Sequence, residues 1–348
     1  MLAIIEEYSL LVQYTLIFAS VLMLVALGGC FSEHSGVINL GLEGIMVMGA
    51  LGGALCMYFL QDKVPSFPML ILTVIAAAAS GALYSALLGV ACINFKADQT
   101  IVGTALNLLG TAVAAVVVQA IKLAETGSPS DELLYRTGRA AFTNSFKIGN
   151  TVVEFNWFIV IAIIMLVIAY IVLYKTKFGL RLMACGEHPQ AAASVGVSVY
   201  KMRWSGVLIS GVYGGLGGIC YVMAGGGSWH FSYGVAGFGF LSLAVMIFGQ
   251  WKPARIALAA LLFGFFRALS NVNGSITLLK DLNIPGTVYN MLPYIVSLIV
   301  LAFTSKKSRA PKAEGIPYDK GMRLDSQAYK GVLRGRLFLY CILGSNMV

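Results

Sequence analysis

Long stretches without a charged side chain are the feature that most restricts the fold of this chain. Five stretches contain no Asp, Glu, Lys or Arg, and each has roughly the 20 residues that a helix needs to cross the hydrocarbon core of a bilayer. A β-barrel would instead need short segments of alternating polarity, which these stretches lack. The pattern therefore predicts membrane-spanning α-helices. The stretches are residues 10–29, 68–92, 156–174, 231–250 and 286–304.

The overall composition supports the same class. Of the 348 residues, 58% are hydrophobic and 11% are charged, whereas soluble domains have about a quarter of charged residues. We predict an all-α polytopic membrane protein with roughly 8–10 transmembrane helices, some of them broken or re-entrant. The nine predicted spans are residues 10–29, 36–60, 68–93, 100–121, 155–174, 205–224, 234–249, 254–270 and 287–304.

The distribution of positive charge predicts the orientation. When the C-terminus is placed inside, most Lys and Arg residues fall in the inside segments, as the positive-inside rule expects. Much of the net charge of +9 follows residue 304, beside a span. This placement favours contact with membrane lipid and excludes nucleic acid as the partner. The chain then divides into a transmembrane domain, 1–304, and a basic cytoplasmic tail, 305–348, with long loops at 122–154 outside and 175–204 inside.

The second predicted span carries polar residues that a lipid-facing helix would avoid. Asn39 and Glu43 are four residues apart and share a helix face. A carboxylate at this depth usually faces the bundle interior or a wet cavity, so we predict that both residues belong to a substrate pathway. Glycines around this pair suggest a break in the helix, while Gly49 and Gly53 have the GxxxG spacing of closely packed helices. The alternative is that Glu43 lies in a loop at the inner interface and only shapes the fold.

Two other spans contain similar features. Gly211 and Gly215 in the sixth span repeat the GxxxG spacing and predict close helix packing. Tyr213 between them and Asn107 in the fourth span are further candidates for the substrate pathway. Gln119 is a weaker one.

The inside loop has a pattern that predicts a short helix. Pro189 suits the first turn, the following alanines favour helix, and Gly196 can end it. A helix this short needs a surface on which to rest. The loop has about 30 residues, where helix–helix links commonly have 2–8, so a docking role is favoured over that of a connector.

Enzyme signatures are missing from the sequence. It contains no GxxxxGK[ST] phosphate loop, no HExxH motif and no GxSxG motif. His34, His188 and His230 are too scattered for a metal cluster. We therefore predict a protein that is not an enzyme and has neither a cofactor nor a metal site.

At the inside loop the sequence resembles the permeases of ABC importers. The segment "QAAASVG" is similar to their EAA-x3-G signature, with Gln190 in place of Glu. The later I-x-L-P part is absent, as in the branch that serves branched-chain amino acids, ribose and nucleosides. The resemblance covers residues 14–310 and leans toward nucleosides or simple sugars. Further similar blocks are "GVINLGLEGIMVMGA", "KADQTIVGTALNLLG", "FGLRLMACGEHPQAAASVGV" and "GFGFLSLAVMIFGQWKP".

The resemblance implies a transport subunit in a bacterial cytoplasmic (inner) membrane. Its implied partners are cytoplasmic ATP-binding subunits, a second permease subunit and an extracytoplasmic substrate-binding lipoprotein. Residues 185–196 would form the coupling helix that rests in a groove of the ATPase. The residues implied in this coupling are Gly186, Glu187, Pro189, Gln190, Ala191, Ala192 and Gly196.

The expected function is therefore that of an ATP-driven permease for a nucleoside. A simple-sugar permease is the nearest alternative, because the polar pathway residues would suit a sugar equally. An ion-coupled secondary transporter is a second alternative, since broken helices with a buried carboxylate occur in that class too. Glu43 would then bind the coupling ion. A membrane scaffold without transport is the third.

Overall fold

The computed structural model describes residues 2–61, 63–135, 142–148, 151–224, 228–272, 286–304 and 310–319. Helices dominate this part of the chain, as predicted. They are α1 Leu2–His34, α2 Leu42–Leu60, α3 Ser66–Gly89 with a π-helical extension Val90–Asn94, α4 Gln99–Thr126, α5 Trp157–Lys175, α6 Lys177–Glu187, α7 Pro189–Ser194, α8 Val199–Ala224, α9 Phe238–Phe248, α10 Pro253–Val272 and α11 Gly286–Thr304. The strands are β1 Glu132–Leu134, β2 Thr143–Ile148, β3 Thr151–Asn156 and β4 Ser228–His230.

Seven of the described helices are long and apolar enough to cross a membrane: α1 to α5, α8 and α10. The predicted span 234–249 is wrong as a full crossing. Its helix, α9, has 11 residues and is about 16 Å long, roughly half the thickness of the hydrocarbon core. The predicted start of the second span at residue 36 is also wrong, because α2 begins only at Leu42.

Local side-chain chemistry sets several helix ends. Asp98 caps α4 by accepting hydrogen bonds from the backbone N–H groups of Thr100 (2.8 Å) and Ile101 (3.0 Å). Asn156 caps α5 in the same way through the N–H of Phe158, at 2.9 Å. Gly127 ends α4 in the left-handed conformation, with φ +71°.

The outer loop, predicted only as a loop, contains strands. β2 and β3 form an antiparallel hairpin, and β1 pairs antiparallel with β4, which follows α8. Beside this pair, Asp131 accepts a hydrogen bond from the N–H of Ser232 at 3.1 Å and interacts with His230 at 3.2 Å. Hydrogen bonds from Ser232 and His230 lower the pKa of Asp131 to about 2. These contacts join the segment after α4 to the segment before α9.

Helix α8 lies against α1, α2 and α3, and glycines allow the close approach. A Cβ atom added at Gly49 would overlap the Cα atom of Gly215, and one added at Gly211 would lie 2.6 Å from the carbonyl oxygen of Gly81. Gly53 faces the side chain of Ile219, 2.8 Å from where its Cβ would be. The four glycines predicted to pack helices thus all lie at contacts of α8 with α2 or α3.

One end of the bundle is rich in positive charge, and we call it the basic end. It carries the end of α5, the α6–α7 segment, the start of α8 and the start of α10. Among the described residues, Lys63, Lys122 and Lys147 lie at the opposite end. The positive-inside rule predicts that the basic end is cytoplasmic. The basic residues of this end include Lys175, Lys177, Arg181, Lys201, Lys252 and Arg255.

Part of the predicted tail contacts the basic end. The N–H of Ala313 donates to the carbonyl of Gly186 at 2.8 Å, and the N–H of Gly315 to that of Gly36 at 3.3 Å. Arg203, which is fully buried, donates to the carbonyl of Ile316 at 2.9 Å. Residues 310–317 therefore belong to the transmembrane unit. Residues 318–348 form a second unit, of which Tyr318 and Asp319 are described.

Candidate functional site

The segment between α1 and α2, residues 36–41, is non-helical backbone inside the helical bundle, and side chains satisfy its polar groups. The N–H of Ile38 donates to Oε1 of Gln99 at 2.7 Å. Asn39, fully buried, accepts from the N–H of Gly41 at 3.1 Å and donates to Oγ of Ser210 at 2.8 Å. Such backbone is tolerated at membrane depth only where protein groups replace water, as they do here.

Asn107 in α4 ties the same segment to the first turn of α2. Its Oδ1 accepts from the N–H of Gly44 at 2.8 Å, and its Nδ2 donates to the carbonyl of Leu40 at 2.8 Å. Gly44 has no side chain to keep the helices apart, and an added Cβ there would meet the backbone of Leu106. Asn107 therefore supplies partners for two backbone groups that the helix start leaves open.

We expect Asn107→Leu to destabilise the protein by about 2 kcal/mol or more, because it strands two backbone groups away from water. The measurement is thermal unfolding of the purified protein in detergent. Gln119→Leu is the matched control, since Gln119 is an exposed amide on the same helix and should change stability by no more than about 0.5 kcal/mol. Equal shifts for the two variants would contradict the role given to Asn107.

Glu43 holds the start of the short helix α9. Its Oε1 accepts from the N–H of Gly237 at 2.8 Å and its Oε2 from the N–H of Gly239 at 2.7 Å. Gly237 has φ +78°, a conformation that suits glycine. A carboxylate at a helix N-terminus also interacts favourably with the helix dipole. The polar pair in the second predicted span thus binds protein backbone: Asn39 towards α8 and Glu43 towards α9.

Tyr213 lies in α8, one turn beyond Ser210. Its side chain is 3% exposed, and its hydroxyl donates to the carbonyl of Met165 at 2.9 Å. The ring packs against Phe31 with centroids 5.5 Å apart. All four residues predicted for the substrate pathway are bonded to the protein in this structure. Their role in a pathway stays a prediction.

The predicted helix in the inside loop is present as α7, Pro189–Ser194. It follows α6, Lys177–Glu187, after a bend at His188, and we call α6, His188 and α7 together the elbow. Gly196, with φ +85°, comes two residues after its end. Within the predicted coupling set, Gly186, Pro189 and Ala192 are buried, Gln190 is half-buried, and Glu187, Ala191 and Gly196 are exposed.

The buried half of the elbow fixes it to the bundle. Gly186 lies so close to the end of α1 that an added Cβ would overlap the carbonyl oxygen of His34. The carbonyl of Gly186 is also the acceptor for Ala313 in the segment after α11. The exposed half carries an apolar side chain, Val195, that is 78% exposed. The elbow therefore has one face attached to the C-terminal end of α1 and one face open at the basic end.

Sequence reasoning missed several residues of this site. Gln99, Ser210, Arg203 and the segment 310–317 all contact the 36–41 segment or the elbow. Gln99 lies in the block "KADQTIVGTALNLLG", but nothing in that block singles it out, and the others stand in no recognisable motif. Their partners are distant along the chain. Among the residues that the structure describes, no group of three or more His, Cys, Asp or Glu side chains could hold a metal ion.

Comparison with known proteins gives similarity over nearly the whole chain. Residues 11–303 match the family model described as "Branched-chain amino acid transport system / permease component". The chain is 40% identical over 322 residues to the guanosine ABC transporter permease protein NupQ of Bacillus subtilis, covering 92% of this chain and 99% of that protein. It is 37% identical over 327 residues to the nucleoside ABC transporter permease protein NupC of Lactococcus lactis, covering 91% and 99%. A putative glucose ABC transporter permease protein of Haloferax volcanii, TsgC13, is 30% identical over 300 residues, covering 82% and 88%.

Proposed function

Because the chain belongs to the family of branched-chain amino acid transport system permease components, we propose that it is the membrane-spanning subunit of an ATP-driven importer that moves nucleosides. The chain is a multi-pass protein of the cytoplasmic (inner) membrane. Its role is transport rather than catalysis, in keeping with its ABC permease relatives.

The observation that carries the choice of substrate is the similarity to two permeases that are named for guanosine and for nucleosides. Both alignments include more than nine-tenths of this chain, at 40% and 37% identity. The relative named for glucose is 30% identical, so a simple sugar is the second candidate.

We propose that separate ATP-binding subunits supply the energy and dock on the exposed face of the elbow. The chain lacks a phosphate loop of its own, so a partner must bind the nucleotide. A second permease subunit and an extracytoplasmic binding lipoprotein complete the proposed assembly. Exposed Ala191, Val195 and Gly196 offer a small apolar surface for docking.

The contacts of the elbow provide a route by which its movement would reach the bundle. A shift of Gly186 acts directly on the end of α1 and, through Ala313 and Gly315, on Gly36. Gly36 begins the non-helical segment that Asn39 and Asn107 hold. We propose that this segment acts as a hinge and that α9, which Glu43 holds, moves with it. The four polar residues would then line or position the pathway.

Uptake by the complete transporter tests the substrate. We expect radiolabelled guanosine to accumulate in proteoliposomes that contain all subunits and ATP, and unlabelled guanosine or uridine to compete while ribose and glucose do not. A nucleoside fits because its ring and hydroxyl groups are polar but uncharged. Competition by ribose or glucose without competition by nucleosides would transfer the assignment to sugars. Accumulation without any ATP-binding subunit would contradict the ATP-driven mechanism.

A further inference from the structure

We propose that a cavity at the basic end binds the headgroup of an anionic phospholipid from the cytoplasmic leaflet. The cavity has a volume of about 310 Å³, which falls in the size range of small-molecule sites. None of the residues that line it belongs to the elbow or to the proposed hinge, residues 36–41. It is lined by Tyr170, Tyr174, Lys252, Pro253, Ala254 and Arg255.

The lining combines two cations with an apolar wall. Lys252 and Arg255 provide the positive charge, and the residues that line the cavity include no carboxylate. An arginine binds phosphate oxygens through two parallel N–H groups, and a lysine adds a point charge. The Tyr170 and Tyr174 rings, with centroids 5.5 Å apart, offer a surface for the glycerol and the first methylene groups of a lipid. A phospholipid fits both parts of this lining. Its phosphodiester would contact the two cations, and its attached apolar chain would contact the tyrosine rings.

The position along α5 places the cavity at the level of the lipid headgroups. Trp157 begins this helix and Tyr174 lies in its last turn, just before Lys175. The 17-residue separation corresponds to about 26 Å, close to the thickness of the hydrocarbon core. Trp and Tyr are enriched at both membrane interfaces. Tyr174 therefore marks the cytoplasmic interface, and the cavity beside it lies where phosphate groups are concentrated.

The loop that carries the cations is held in place. Gln250 and Trp251 have φ values of +52° and +56°, which are strained for residues with side chains. Trp251 is buried, and its Nε1 donates to Oε2 of Glu33 at 2.5 Å. Nη1 of Arg255 donates to Oε1 of Gln250 at 2.6 Å, which orients the guanidinium. The loop is strained and is anchored by a buried side chain. It therefore holds Lys252 and Arg255 in position before a ligand binds.

The same cations would suit a free phosphate, but the surroundings favour a lipid. An apolar wall of tyrosine, proline and alanine adds nothing to the binding of inorganic phosphate. Anionic lipids of the cytoplasmic leaflet are present at high local concentration and attract basic residues near the surface. The proposal does not depend on which solute the protein transports.

Native mass spectrometry of the purified protein tests this site. With equal amounts of dioleoylphosphatidylglycerol and dioleoylphosphatidylcholine, we expect selective retention of phosphatidylglycerol. The double variant Lys252→Gln/Arg255→Gln should weaken that retention roughly tenfold or more, since it removes both cations that line the cavity. The matched control Arg181→Gln/Lys201→Gln removes the same charge from two exposed positions at the same end. It should retain phosphatidylglycerol like the wild type.

Several results would overturn the proposal. Equal loss in both double variants would mean that only the overall charge attracts lipid. Unchanged retention in Lys252→Gln/Arg255→Gln would remove the site. Displacement of the lipid by millimolar inorganic phosphate would assign the cavity to a soluble anion, and displacement by added ATP-binding subunits would assign it to a protein interface. If the double variant is unstable, Arg255→Gln alone should weaken retention roughly fivefold and serves as the test.

Discussion

The substitution Gly196→Asp is expected to abolish co-purification of the ATP-binding subunits and ATP-dependent uptake, while the protein still inserts and folds normally. Gly196 follows α7 on the exposed face of the elbow, and a Cβ atom added there would have no atom within 4 Å. The change therefore places a negative charge on the proposed docking surface without a clash inside the protein. A charge that is buried at an interface without a partner costs several kcal/mol, enough to separate subunits that bind in the micromolar range.

A matched control is available at the opposite end of the molecule. Gly127 also has a positive φ, +71° against +85° for Gly196, and also has no atom within 4 Å of an added Cβ. Gly127→Asp therefore imposes a similar backbone strain and the same charge, but far from the elbow. We expect it to retain the ATP-binding subunits and at least half of the uptake. If both variants lose the subunits, or neither does, docking at the elbow is contradicted.

The structure also refines where charge can be introduced on α7. Ala191 is exposed, whereas Ala192 is buried against the bundle. The sequence alone does not distinguish the two alanines, since both stand in the same motif. Ala191→Glu is now the cleaner variant, because Ala192→Glu would disturb packing within the chain as well as docking.

Features with local causes could be predicted from the sequence. The long uncharged stretches dictate helices because a bilayer offers no water to backbone groups. Pro189 and Gly196 bracket α7 through their own conformational preferences. The GxxxG spacings of Gly49–Gly53 and Gly211–Gly215 place a flat surface on one face of each helix, and these surfaces do lie at the contacts of α8.

Features with distant causes could not be predicted. The stretch 231–250 is uncharged throughout, yet α9 begins only at Phe238, because Phe231–Tyr233 form a single 3-10 turn and positive φ angles at Gly234, Ala236 and Gly237 interrupt the chain. Hydrophobicity does not distinguish a helix that crosses the bilayer from one that enters halfway. The docking of residues 310–317 depends on backbone hydrogen bonds, which have no side-chain signature, and on Arg203, which is 113 residues away from its partner Ile316.

The special role of Glu43 could be predicted from the sequence, but its partners could not. Its presence in an apolar segment pointed to a special role, but its partners, Gly237 and Gly239, are almost 200 residues away. Burying a charge costs free energy, and this cost is the reason why the sequence predicts a specific role for the carboxylate. Only the structure identifies the partners as the first N–H groups of α9.

Replacement of Glu43 by leucine is expected to lower the uptake rate at least tenfold and to reduce thermal stability. The variant leaves the N–H groups of Gly237 and Gly239 without an acceptor inside the bundle. Hydrogen bonds to a charged group contribute about 1.5–3 kcal/mol each, so the start of α9 would be destabilised by about 3 kcal/mol or more. Since about 1.4 kcal/mol changes a population tenfold, the arrangement of α9 seen here would become a minor state. The measurements are nucleoside uptake and the unfolding temperature in detergent.

Two further substitutions decide whether the effect comes from these hydrogen bonds. Glu43→Gln retains one acceptor oxygen and should give an uptake rate between those of the leucine variant and the wild type. Glu125→Leu removes a carboxylate, 40% exposed near the outer surface, that pairs with Lys122 at 3.6 Å and accepts a hydrogen bond from Tyr58, and surface pairs contribute only about 0.2–1 kcal/mol. If uptake by Glu43→Leu equals that of Glu125→Leu, α9 does not need its anchor for transport. If Glu43→Gln is as stable as the wild type but does not transport, the charge of the carboxylate is itself needed, which supports the ion-coupled alternative over a purely structural cap.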